Sequence, residues 1–144
     1  MFHILSDKTL YQFTGGEPPQ SEVTVEQWFT ALENQLSPDG SERWLTWVVQ
    51  LIETSKLIGY VQATVKRRET DIAWLIGQEW QGLGYASEAA TELMAWISNH
   101  QIAEVAARIH PDHMASQRIA AKLGMHRSGT TVDGEEIWRK TLST

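Results

Sequence analysis

The chain has no cysteine. That excludes disulfide frameworks, thiolate zinc sites and cysteine nucleophiles together, and it fits a reducing compartment, so the cytoplasm is the expected location. Basic residues are scarce as well. Twelve Lys and Arg stand against 18 Asp and Glu, a formal net charge of -6, and phosphate backbones need a basic face, so no nucleic-acid partner is expected. The one basic run, Lys66-Arg67-Arg68, falls between two strand-like segments and reads as a solvated turn. Long apolar runs are missing too. None approaches the ~20 residues of a membrane span, and Met1–Asp7 lacks the basic flank and apolar stretch of a signal peptide. No membrane partner is expected. Internal repeats, low-complexity tracts and linker-like stretches are also absent, so a single domain over residues 1–144 is the expected organisation.

What is present suits such a domain. A hydrophobic fraction of 42% over 144 residues can bury a real core without disulfides or metals. Seven tryptophans read as large core residues, with some available to line a ligand cleft. An acidic balance suits a cationic substrate such as an amine.

The periodicity changes along the chain. Residues 15–22 form a loop, and Thr24 with Gln27 matches a capping box ahead of an apolar stripe at Val25, Trp28, Phe29, Leu32 and Leu36. Three strand patterns follow, Arg43–Ile52, Leu57–Val65 and Asp71–Gly77, joined by turns too short for a parallel crossover, so they read as an antiparallel meander. Tyr85, Ala89, Leu93 and Ile97, flanked by Ala86, Ala90 and Met94, then describe a buried helix. A strand at Ala103–Ile109, a helix at Ala115–Leu123 stopped by Gly124, and a hairpin around Asp133-Gly134 complete the pattern. The fold class is a mixed α/β sheet: a meander leading into one parallel β-loop-α-β crossover.

The loop inside that crossover carries the strongest signal. Gln81-Gly82-Leu83-Gly84-Tyr85-Ala86-Ser87 runs from a strand straight into a helix. A helix start presents unsatisfied backbone N–H groups and the positive end of the dipole. Glycines ahead of it let a phosphate approach the main chain closely. The alternative is a plain strand-to-helix turn that needs glycine for its dihedrals. A Rossmann fingerprint fits poorly, because Ser87 takes the third glycine's place and four residues, Gln78–Gln81, separate the strand from the glycines. The Gly-Lys-Ser/Thr of a Walker loop is absent.

The segment Gln81-Gly82-Leu83-Gly84-Tyr85-Ala86 matches Q/R-x-x-G-x-G/A, the signature of the GNAT N-acetyltransferase superfamily, which the chain resembles. The stretch Trp74–Ala90 is similar to the branch containing ribosomal-protein alanine N-acetyltransferases. A second block agrees: His110-Pro111-Asp112-His113-Met114-Ala115-Ser116, then Lys122-Leu123-Gly124-Met125, where that branch has Pro-x-Asn-x-x-Ser followed by Leu-Gly-Phe. The resemblance covers about residues 4–142. It departs in two places. His113 stands where the family has an Asn against the pantetheine arm. The family also opens with a strand, whereas this chain starts within the first helix, so that strand is expected to be missing or replaced. An unpaired sheet edge invites association, and a homodimer is among the expected partners.

The resemblance implies acetyl transfer from acetyl-CoA to an amine of a small molecule or a protein N-terminus. The pyrophosphate would rest on main-chain amides of Gly82, Leu83, Gly84, Tyr85 and Ala86, next to Gln81. Pantetheine would lie along the strand Trp74–Ile76, through main-chain bonds around Leu75 and Ile76, with a backbone N–H near Ile76 polarising the thioester carbonyl. Ser116 is implied as the donor to the departing thiolate, and on residue chemistry alone it reads equally as a first-turn residue or cap. Glu17 is the candidate base, or a surface carboxylate. His113 is a cleft residue able to move a proton, or a polar loop residue. No metal is expected: Pro111 breaks the spacing of His110, Asp112 and His113, and a fourth ligand is lacking. A non-catalytic acyl-CoA-binding domain is the alternative function.

Overall fold

Short polar turns organise the first half of the sheet. A computed structural model describes residues 39–142, in which β1 (Arg43–Gln50), β2 (Leu57–Lys66) and β3 (Glu69–Ile76) form the expected antiparallel meander. The helix read at residues 24–36, the loop at 15–22 with Glu17, and the question of a first strand lie outside the described residues. The basic run Lys66-Arg67-Arg68 is exposed, with Lys66 closing β2 and Arg67-Arg68 forming the turn, where Arg67 takes a φ of 57°. Gly59 is required where β2 meets the end of β3. A Cβ there would run into the Leu75 carbonyl oxygen and lie 2.9 Å from the Ile76 Cα, so a side chain would push the strands apart.

After Ile76 the chain makes a 3-10 turn at Gln78–Trp80 and enters α1 (Tyr85–Ser98). It continues through β4 (Glu104–Ile109), α2 (Met114–Lys122), β5 (His126–Val132) and β6 (Glu135–Thr141). The strand order is β1-β2-β3-β4-β6-β5, a mixed sheet in which β3 and β4 are the parallel pair. Asp133 and Gly134, with φ of 51° and 82°, supply the two left-handed residues of a tight hairpin turn. That hairpin folds back so that β6 lies between β4 and β5.

One face of the sheet carries the core. Register aligns Leu45 with Ala63 and Ala63 with Ile72, and these pack with Val105, Ala107 and Trp138 against Ala90, Leu93, Met94 and Ile97 of α1 and Ala120 of α2. The α1 residues recur at the i, i+3, i+4, i+7 spacing of one helical face. Complete burial of a side chain such as Ile97, fully inaccessible here, contributes about 1.5–3 kcal/mol. Tyr85 and Ala86 in the first turn are only half-buried, at the end of the sheet where β3 and β4 no longer pair. α2 ends in the hydrogen-bond pattern of a Schellman motif: Gly124, at φ 85°, donates to the Ala121 carbonyl at 3.0 Å and Met125 to that of Ala120 at 3.0 Å. Among the described residues no helix is long and apolar enough to cross a membrane.

Candidate cofactor cleft

β3 and β4 start side by side and then separate. Their parallel ladder joins Glu69–Asp71 to Glu104–Ala106, while β3 stays paired with β2 as far as Ile76 and β4 with β6 as far as Ile109. The remainder of each strand therefore borders a gap. Gly77 donates its N–H to the Ile58 carbonyl at 2.7 Å, and antiparallel alternation from that bond turns the N–H groups of Trp74 and Ile76 toward the gap and that of Leu75 toward β2. Because the strands are parallel, their C-terminal ends share one side of the molecule. Crevices at such carboxyl ends are where open α/β sheets hold ligands.

The loop after β3 forms the first wall. Gln81, Gly82, Leu83 and Gly84 are exposed, and Gly82 and Gly84 have φ of 76° and 88°, a region only glycine enters without strain. Gly84 is the N-cap of α1 and makes no side-chain cap. A Cβ built on Gly82 or Gly84 would meet nothing within 4 Å, so open space fronts the helix start. Main-chain N–H groups there can receive an anion. The Gln81 side chain is turned inward and donates Nε2–H to the Ile76 carbonyl at 2.9 Å, tying the loop to the strand end. The Lys56 ammonium, 5.4 Å from the Trp80 ring centre, braces the preceding turn from the β1–β2 connection.

The loop after β4 forms the second wall. His113 is the N-cap residue of α2, without a side-chain cap, and Gln117 latches the loop by donating to the Pro111 carbonyl at 2.6 Å. The Asp112 N–H donates to His110 Nδ1 at 3.1 Å, which makes that nitrogen an acceptor. Ser116 is buried. Its hydroxyl lies 3.4 Å from His113 Nε2 and accepts from Trp74 Nε1–H at 3.2 Å. Burial holds the His113 pKa below the ordinary imidazole value, and the neighbouring His110 lowers it further. The ring is therefore neutral at pH 7, and its one unprotonated nitrogen can take up a proton.

Residues 1–126 match the profile of the acetyltransferase (GNAT) domain. The chain belongs to the GNAT acetyltransferase family. Similar curated proteins include the uncharacterized protein YkkB of Bacillus subtilis (strain 168), 30% identical over 102 residues, 67% of this chain and 57% of that protein. The uncharacterized N-acetyltransferase YnaD of the same strain is 27% identical over 110 residues, 74% of this chain and 63% of that protein. The chain thus spans about three-fifths of the length of these two relatives. Among solved structures, spermidine N-acetyltransferase from Vibrio cholerae, in complex with CoA and spermine, superposes with a TM-score of 0.75 at 16% identity, over 96% of this chain and 84% of that one. At that identity the likeness is one of fold, and the six-stranded mixed sheet and two helices of the described residues match the GNAT fold.

Apart from Glu17, which lies outside the described residues, the residues singled out in the sequence fall on the two walls. Ile76, Gln81, Gly82, Leu83, Gly84, Tyr85 and Ala86 lie together at the first, with Leu75 beside them, and His113 and Ser116 meet at the second. Trp74, on the strand implied for pantetheine, joins them through a side chain with no local signal of its own. Alternation marks it only as an inward strand residue, and nothing in the sequence indicates that its indole reaches a serine 42 positions away. Among the described residues no group of three His, Cys, Asp or Glu is placed to hold a metal ion.

Proposed function

We propose that this GNAT protein transfers an acetyl group from acetyl-CoA to a primary amine, by direct attack of the amine on the thioester. The amine belongs to a small molecule or to a protein N-terminus. The observation that carries this reading is the gap between β3 and β4, bordered by outward-facing main chain on one side and by the Ser116–His113 pair on the other. Room for the cosubstrate is consistent with the open space in front of Gly82 and Gly84.

The main-chain N–H groups from Gly82 to Ala86 bind the pyrophosphate, with Gln81 holding their loop in place. The Ile76 N–H faces the thioester oxygen, and Leu75 and Ile76 line the pantetheine arm. The thioester supplies an activated acyl group. As the amine nitrogen bonds to the carbonyl carbon, the C–S bond breaks, the nitrogen gives up a proton and the sulfur needs one. Ser116 donates its O–H to that sulfur, His113 contacts the pantetheine and moves a proton, and Glu17 is the candidate base. The net charge of -6 favours a cationic acceptor. We read residues 1–144 as one acetyltransferase domain working in the cytoplasm, without nucleic acid, membrane or metal.

Two measurements test this. CoA and acetyl-CoA should both raise the melting temperature, by the equivalent of about 2.7 kcal/mol at a hundredfold excess over Kd. Absence of any shift at millimolar CoA, with folded protein, removes the cofactor assignment. Free-CoA release across a panel of polyamines, aminoglycosides and peptide N-termini then reports turnover. A shift without turnover on any amine favours an acyl-CoA-binding domain instead.

A further inference from the structure

The bond between Trp74 and Ser116 crosses the gap. Trp74 stands on β3 three residues beyond Asp71, the last position paired with β4, and Ser116 stands in the first turn of the helix that follows β4. Trp74 is partly buried and packs against the core, so its ring has little freedom. An indole nitrogen is a donor only, and a hydroxyl has one proton and two acceptor positions. The Trp74 N–H therefore occupies an acceptor position of the Ser116 oxygen, and the serine proton must point elsewhere. From an Oγ fixed at 3.2 Å from Trp74, that proton can face His113 Nε2, 3.4 Å away.

We infer that Trp74 is a positioning residue for Ser116, its indole N–H selecting the serine rotamer and turning the hydroxyl proton into the gap. This rests on the proposal that Ser116 donates to the departing sulfur. A serine near a helix start has two other χ1 wells, and its hydroxyl can fold back onto a carbonyl of the preceding turn. A fixed donor at Oγ holds it out of those arrangements. With His113 Nε2 unprotonated, the serine proton rests toward it in the free protein, and it swings to the sulfur when a thioester fills the gap.

The test is the cleavage of acetyl-CoA by hydroxylamine, which is already unprotonated at neutral pH, so no base is needed to generate the nucleophile, and its nitrogen gives up the proton lost on acylation to water. Free-CoA release is followed above the uncatalysed background for the wild type, Trp74→Phe, Ser116→Ala and the double variant. Trp74→Phe should lower kcat about 5-fold, the effect of one hydrogen bond, with the CoA dissociation constant unchanged within about 2-fold. In the Ser116→Ala background the same change should have no further effect, because it acts through a hydroxyl already gone. Equal losses in both backgrounds, or no loss in the first, overturn the inference. If Ser116→Ala itself leaves catalysed cleavage intact, or the wild type does not accelerate cleavage at all, the underlying role of Ser116 falls and the inference with it. Should Trp74→Phe fold poorly, 3-benzothienylalanine installed at position 74 keeps the bicyclic shape without the N–H, and the same outcomes apply.

Discussion

The loop ahead of α1 and the loop ahead of α2 open helices at the same end of the sheet, one after each of the parallel strands, but they are made differently. The first offers main chain: two glycines at positive φ, exposed, with empty space where side chains would be. Gln81, the long polar side chain next to the glycines, is spent on the Ile76 carbonyl. The second offers side chains: His113, Ser116 and the indole of Trp74 are arranged around one buried hydroxyl, while Gln117 holds the loop shut. A main-chain surface binds a charged group with little demand on residue type, whereas a side-chain cluster can place one proton. The first wall therefore suits binding and the second suits chemistry, and that division can be tested.

Ser116→Ala should show the largest effect. On the proposed role it lowers kcat about 10²–10⁴-fold and leaves CoA affinity nearly unchanged, as steady-state kinetics beside a CoA titration would reveal. A loss of about 1 kcal/mol in stability with turnover intact would mean that the serine serves only the helix start.

Gly84→Val strikes the other wall. At φ 88° a Cβ at this position meets nothing within 4 Å, so the main cost is the strain of a β-branched residue in the left-handed region plus a branched side chain where the phosphate would sit. The thermal shift with CoA should vanish while the protein remains folded by circular dichroism.

Gln81→Ala should do less, costing about 1 kcal/mol of CoA binding through the freed Ile76 carbonyl. If isothermal titration finds it more damaging than Gly84→Val, the first wall is not a main-chain site and the contrast between the loops fails.

The smallest effect is on pH dependence. With the His113 pKa lowered by burial and then by His110, its neutral form predominates down to below the ordinary value of about 6.5, so the rate should fall only as pH drops through that lower range. His113→Asn should remove the inflection and keep cofactor binding. The linked effect on stability has a definite sign. A histidine whose folded pKa is depressed contributes fully above the unfolded value, and stability declines as pH falls below about 6.5 and the unfolded chain takes up the proton first.

Much of the fold and of the first wall is legible in the sequence, and for local reasons. The turns at Lys66–Arg68 and Asp133-Gly134, the i, i+3, i+4, i+7 stripe of α1 and the glycine stop after α2 are short-range patterns, and each element lies within a few residues of its pattern. Gly82 and Gly84 announce themselves because positive φ has one cheap residue. The first 38 residues, Glu17 among them, lie outside what the structure describes.

The sequence by itself determined the meander, the parallel crossover, the glycine-capped helix start and a short helix from Ala115, because hydrogen bonding and sterics over a few neighbours fix such features. Only the tertiary structure decided that β3 and β4 part after Asp71 and Ala106, that the Ile76 N–H faces the gap while that of Leu75 faces β2, and that Trp74 reaches Ser116 across it. Those depend on strand register and on helix packing over the core, which bring together residues more than 30 positions apart in the chain. No local pattern encodes such a distance.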